Sequence, residues 1–102
     1  MPTRVEQFQA LVARQPRNEL FRFSLAQSLL EAQRPAEAIP HLEICVQSKA
    51  DWMIPRIILA KLLLADRRTE EARPLLESAL RLAIDQDHVD PAAEVQVLLA
   101  SL

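Results

Sequence analysis

The sequence predicts an all-α protein built from stacked two-helix units, with about six helices. Three observations predict this fold class. Residues 17–50 and 51–84 align with each other without a gap, at a constant offset of 34. Within both stretches apolar residues recur at spacings of three and four, as on amphipathic helices. Glycine is absent from all 102 residues, whereas the tight turns of β-hairpins depend on it. A fixed period of this length with helical spacing indicates stacked helix pairs.

The internal repeat is carried by 11 identities in 34 aligned positions. They are Arg22/Arg56, Leu25/Leu59, Ala26/Ala60, Leu29/Leu63, Leu30/Leu64, Arg34/Arg68, Glu37/Glu71, Ala38/Ala72, Pro40/Pro74, Leu42/Leu76 and Glu43/Glu77. We therefore expect one domain over residues 1–102. Its parts are an N-terminal half unit (1–16), a first repeat (17–50), a second repeat (51–84), and a linker with a C-terminal capping helix (85–102).

Capping residues and prolines predict where the helices begin. Thr3 with Glu6 makes a capping box, and Asn18 and Asp51 are good N-cap residues. Pro35 fits the first turn of a helix, and Thr69 with the acids after it suits another helix start. The expected helices span about 3–14, 18–32, 35–48, 51–65, 69–84 and 91–101. Pro40 and Pro74 lie inside two of them, where each removes one backbone hydrogen bond.

Charge and composition exclude several classes of function. The net charge of −2 gives no global field that would recruit nucleic acid or an anionic membrane. Without glycine, phosphate-cradling loops and dinucleotide turns are excluded. No apolar run approaches ~20 residues and no signal core is present, so we expect a cytoplasmic protein. After Arg81 every charged residue is acidic. This is typical of a solvated region, though a basic partner could use it.

Catalytic, cofactor and metal sites are not predicted. No nucleophile–base pair or carboxylate dyad is apparent. His41 and His88 are 47 residues apart with no third ligand in pattern, and Cys45 is the only cysteine. We therefore expect no enzymatic activity, no cofactor and no bound metal, and we interpret Cys45 as an inert thiol at a packing position.

The repeated residues resemble the tetratricopeptide repeat family over about residues 1–84. Leu-Ala pairs stand where that family has its leucine and small residue in the first helix, and small and large residues follow at the family's positions in the second helix. The matching residues are Leu25, Ala26, Ala38, Leu42 and Cys45, with Leu59, Ala60, Ala72, Leu76 and Ala79. The resemblance implies a right-handed α-α superhelix of antiparallel helix pairs. Its first helices would line a concave groove for peptides or partner helices.

The chain departs from the family pattern at several positions. Arginine replaces a large apolar residue, leucine replaces tyrosine, and Gln or Arg replaces the turn glycine. Ala and Ile replace the closing proline, and Glu94 falls where a third unit would have a small residue. The departures are Arg22 and Arg56, Leu29 and Leu63, Gln33 and Arg67, Ala50 and Ile84, and Glu94. We therefore expect the last helix to be a cap in altered register.

The resemblance implies that the partner-binding groove is the second apolar side of the two first helices. Its residues are Leu20, Phe23, Gln27, Leu30, Ile54, Ile57, Lys61 and Leu64. One interpretation is an exposed patch for a protein or peptide of unknown identity, or for a second copy of the chain. The other is a patch that belongs to the core, with a terminal helix folded over the groove. Phe23, Gln27 and Ile58 stand where some family members clamp a chaperone's C-terminal carboxylate, and their side chains cannot supply charge-assisted bonds.

Overall fold

The computed structural model describes all 102 residues, which form six α-helices and no strand, with 78% of the chain helical. The all-α prediction and the helix count are confirmed. The helices are α1 (Arg4–Arg14), α2 (Glu19–Glu31), α3 (Pro35–Ser48), α4 (Met53–Ala65), α5 (Thr69–Asp85) and α6 (Val89–Ala100). None of them combines the length with the apolar composition that a membrane-spanning segment needs.

The first two helix starts are fixed by the predicted side-chain caps. The Glu6 amide donates to Thr3 Oγ1 over 3.1 Å, and the Thr3 amide donates to Glu6 Oε1 over 3.2 Å, which completes the capping box. At α2 the Phe21 amide donates to Asn18 Oδ1 over 3.0 Å. Each bond satisfies a helix-end donor that has no partner within the helix.

The start of α4 and the bounds of the last two helices differ from prediction. Asp51 is not the N-cap of α4: Trp52 takes that position with extended backbone and gives no side-chain cap. The fifth helix continues to Asp85, and α6 begins at Val89 after the N-cap His88.

The chain divides into two compact units, residues 1–50 and 51–102. In the first unit α1 packs on α2 and α2 packs on α3; in the second, α4 packs on α5 and α5 packs on α6. The connections between these helices are only three or four residues long, so each consecutive pair is an antiparallel hairpin. The unit boundary coincides with the predicted boundary between the repeats. The single-domain assignment stays a prediction.

The cores of the two units use equivalent residues. In the first unit α2 and α3 bury Leu25, Ala26, Leu29, Ala38, Leu42 and Cys45, and in the second α4 and α5 bury Leu59, Ala60, Leu63, Ala72, Leu76 and Ala79. Every member of one set lies 34 residues from its counterpart. Small residues at three of the six positions allow close approach of the helices, and each buried leucine contributes roughly 1.5–3 kcal/mol.

Three helix ends share one turn geometry. Gln33, Arg67 and Asp87 have φ values of 60°, 60° and 62°, in the left-handed region. After Gln33 the Arg34 amide donates to the Leu29 carbonyl over 2.8 Å, while the Gln33 amide donates to the Leu30 carbonyl over 3.0 Å. The same two bonds recur at the other two turns. This pairing is the Schellman motif, which satisfies carbonyls at a helix C-terminus.

The sixth helix packs in a different register from α2 and α4. Val95 is its only fully buried residue, while Ala93, Glu94 and Val97, which the 34-residue period would align with the core of α4, are exposed. Lys61 forms an ion pair with Glu94 across α4 and α6. The fifth helix has 17 residues and α3 has 14, so three extra residues precede the turn to α6. The prediction of altered register agrees with these positions.

Candidate functional site

We call the eight residues predicted to bind a partner the first-helix face. Four of them lie on α2 and four on α4, and they form pairs at an offset of 34. The pairs are Leu20/Ile54, Phe23/Ile57, Gln27/Lys61 and Leu30/Leu64. Their spacings of three, seven and ten keep each set on one side of its helix. The set on α2 belongs to the first unit and the set on α4 to the second.

On α2 the first-helix face is open to solvent at its N-terminal end. The Leu20 side chain is 63% exposed, and Gln27 is exposed as well. Phe23 and Leu30 are half-buried. This side of α2 faces away from the core residues of the same helix, so an aliphatic residue remains available there.

On α4 the corresponding residues have mixed environments. Ile54 is 44% exposed, whereas Ile57 is only 6% exposed and belongs to the buried core. Lys61 is exposed and forms the ion pair with Glu94, and Leu64 is half-buried. A partner on this side of α4 would therefore meet Ile54, Leu64 and a charged pair.

The two arginines that replace the family's large apolar residue donate hydrogen bonds to backbone carbonyls. Arg22 Nη2 donates to the Pro16 carbonyl over 3.1 Å, and Arg56 Nη1 donates to the Trp52 carbonyl over 2.6 Å. Arg56 is only 8% exposed, and burial lowers its pKa while Asp51 opposes that shift. The sequence shows that arginine replaces an apolar residue here, but it did not predict that these side chains would bind the backbone just before each first helix.

His41 lies next to Arg22 in the first unit. The Arg22 Nη1 and His41 Nδ1 atoms are 3.1 Å apart, and since a guanidinium can only donate, Nδ1 accepts. Burial lowers the pKa of His41, and the positive charge of Arg22 lowers it further. Both effects favour the neutral imidazole that this hydrogen bond requires.

Cys45 is a buried thiol of α3, fully covered by the core. Its Sγ donates to the Glu19 carbonyl over 3.8 Å, and burial raises its pKa to about 11. A thiol of this kind has little thiolate at neutral pH, and the thiolate is the nucleophile and metal ligand. No group of three or more His, Cys, Asp or Glu side chains is arranged to hold a metal ion.

A second apolar surface lies where α5 turns into α6. A cavity of about 300 Å³, which we call the end pocket, is lined by Ala83, Ile84, Asp87, His88, Val89, Ala92, Ala93 and Gln96. Ile84 and Val89 on its two sides are 60% and 75% exposed. Sequence reasoning missed this pocket. The available signal was Ile84 at the position of the family's closing proline.

Comparison with known proteins gives a match to one family model. Residues 5–50 match the family model described as tetratricopeptide repeat. The match covers the first unit from Val5 of α1 through the end of α3. No curated protein and no solved structure gave a significant match to the chain.

Proposed function

We propose that this chain is an interaction module for a peptide segment or a partner helix. The proposal is supported by the match of residues 5–50 to the tetratricopeptide repeat family. Tetratricopeptide repeats generally mediate protein–protein interaction, and the family is a non-catalytic scaffold module. The finer proposal is that the first-helix face lines a largely apolar groove in which the partner lies.

The observation that carries the proposal is the equivalence of Leu20 and Ile54. They occupy the same position of the two repeats, and both are large aliphatic residues left exposed to solvent, at 63% and 44%. One exposed aliphatic residue is ordinary on a protein surface. Its recurrence at the same position of both repeats supports the proposal that each first helix contacts the partner at this position.

The size of this surface predicts modest affinity. Leu20, Phe23, Leu30, Ile54 and Leu64 are the apolar members that retain some exposure. Complete burial would contribute roughly 1.5–3 kcal/mol for each, and three of the five are already half-buried. Association itself costs about 4–15 kcal/mol. The partner therefore has to add polar contacts around the groove, and Gln27 on α2 and the Lys61–Glu94 pair on α4 can provide them.

A peptide display library selected on the full chain tests the proposal. We expect selected peptides to carry apolar residues at helical or alternating spacing, and Leu20→Ser with Ile54→Ser to weaken their binding by about tenfold or more. Val97→Ser is the matched control, because Val97 is 70% exposed and lies outside the first-helix face. Selected peptides that bind the double variant as tightly as the unchanged protein would contradict the proposal.

Self-association of this module is the alternative function. Leu20 and Ile54 would serve equally well as contacts to a second copy of the chain. Analytical ultracentrifugation across a range of protein concentrations separates the two. A monomer throughout excludes self-assembly, whereas a dimer that Leu20→Ser and Ile54→Ser dissociate assigns this surface to a second copy.

A further inference from the structure

We propose that the end pocket is a second interaction surface, which binds an aliphatic side chain carried on a basic segment of a partner protein. It uses α5 and α6, and it shares no residue with the first-helix face. The proposal stands on two independent features of the second unit: an open apolar cavity, and a chain segment at that cavity whose charged residues are all acidic.

The cavity is open, apolar and large enough for a side chain. Ile84 near the end of α5 and Val89 at the start of α6 both line the cavity, and they are 60% and 75% exposed. Ala83, Ala92 and Ala93 line the space between them. Small side chains here leave a volume of about 300 Å³, enough for a leucine or isoleucine side chain with part of its backbone.

Every charged residue after Arg81 is acidic, and Arg81 itself, one helical turn before Asp85, forms no salt bridge. Asp87 lines the pocket, Asp85 follows Ile84, and Asp90 follows Val89. All three are exposed, and none of them forms a salt bridge. No lysine or arginine occurs between residues 82 and 102. Glu94 is the remaining acid of this segment, and Lys61 already neutralises it.

This combination selects the chemistry of the occupant. Three carboxylates without partners attract lysine or arginine and repel phosphate, so nucleic acid and anionic lipid surfaces are disfavoured. The apolar floor requires an aliphatic residue rather than a purely basic tail. The matching segment therefore has one or two aliphatic residues with arginine or lysine on both sides.

Nuclear magnetic resonance titration of the ¹⁵N-labelled full chain tests this inference. The probe is acetyl-Arg-Arg-Leu-Ile-Arg-Arg-amide, and two further peptides replace either its arginines with glutamate or its apolar pair with serine. We expect the first peptide to shift amides of residues 83–96, and both substituted peptides to bind about tenfold more weakly or not at all. Raising the salt from about 0.1 M to 1 M shortens the screening length from about 10 Å to 3 Å and should weaken binding severalfold.

Two sets of variants separate the contributions of charge and cavity. Asp85→Asn, Asp87→Asn and Asp90→Asn together should weaken binding about tenfold at low salt. Glu70→Gln, Glu77→Gln and Asp66→Asn remove the same charge elsewhere in the unit and should have little effect. Ile84→Ser with Val89→Ser should abolish the shifts, and since both residues are exposed, the helical circular dichroism should remain.

Three outcomes would overturn the proposal. The glutamate peptide could bind as well as the arginine peptide, which would remove the role of charge. The shifts could fall on Leu20 and Ile54 instead, which would assign the probe to the first-helix face. The protein alone could show concentration-dependent shifts at residues 83–96, and the occupant would then be a second copy.

Discussion

Gln33 and Arg67 lie 34 residues apart in the sequence, and both adopt a φ of 60° at the end of a first helix. Residues other than glycine are disfavoured in this left-handed region by roughly 1–2 kcal/mol. The chain uses the geometry of a glycine turn at these positions without a glycine. The strain is compensated by the two carbonyls that each turn satisfies.

Replacing Gln33 with glycine should therefore stabilise the protein. Glycine removes the steric cost at positive φ, and after its larger loss of chain entropy we expect a net gain of about 0.5–1 kcal/mol in the free energy of unfolding. Urea unfolding followed by circular dichroism measures it. The matched control is Ala32→Gly, at a φ of −82°, which should lower the free energy of unfolding. A loss of stability in Gln33→Gly would contradict the explanation.

Substitution of His41 by leucine should flatten the dependence of stability on pH. The folded-state pKa of His41 is lowered by burial and by Arg22, so the folded state prefers the neutral ring. The contribution of His41 to stability is therefore fully present above its unfolded-state pKa of about 6.5. It is lost as the pH falls toward the lower pKa of the folded state. Leucine occupies the equivalent position 75 in the second unit, so the side chain suits this site.

The measurement for His41→Leu is a series of urea midpoints between pH 8 and pH 5. The carboxylates that titrate at low pH are common to both proteins, so the difference between the two curves isolates the histidine. Parallel curves over this range would show that His41 makes no contribution.

Cys45 should react slowly with thiol reagents in the folded protein. Its pKa of about 11 stands against an ordinary value of 9.0, which lowers the thiolate fraction at pH 8 about 100-fold. Complete burial of the side chain slows the reaction further. A disulfide reagent that releases a coloured thiol measures the rate, and the protein in concentrated urea is the control. Equal rates in the two states would contradict the burial of this thiol.

Val95 should contribute far more to the anchoring of α6 than the ion pair beside it. Val95 is fully buried, so Val95→Ala should cost about 2 kcal/mol in the free energy of unfolding. Lys61 and Glu94 have side chains that are 52% and 45% exposed, so Lys61→Met should change it by less than about 1 kcal/mol. Urea unfolding of both variants tests this order, and the reverse order would show that the ion pair is the main anchor.

The sequence predicted those parts of the fold that depend on local chemistry. Thr3 and Asn18 cap α1 and α2 because a side-chain oxygen three residues before a free amide can bind it in any context. The 34-residue offset located the twelve core positions because equivalent residues meet equivalent neighbours. These features need no knowledge of how distant parts of the chain pack.

The remaining parts depend on packing between elements. Asp51 has the chemistry of an N-cap, yet α4 begins two residues later with Trp52 as its cap. The last residue of α5 and the first residue of α6 could not be predicted because the repeat ends at Ile84, before them. The burial of Ile57 was missed because α4 is apolar nearly all round, so periodicity does not identify its exposed side.

Pro40 and Pro74 lie inside α3 and α5 on the solvent-exposed side. A proline has no amide hydrogen, so the carbonyl four residues earlier lacks its usual donor. Those carbonyls belong to Ala36 and Glu70, which are also exposed. Bulk water can donate the hydrogen bond that the proline cannot. The first turn of each second helix is thus attached to the remainder by one fewer bond. Fraying should begin there in both units, and deuterium should enter these two turns before it reaches the rest of either helix.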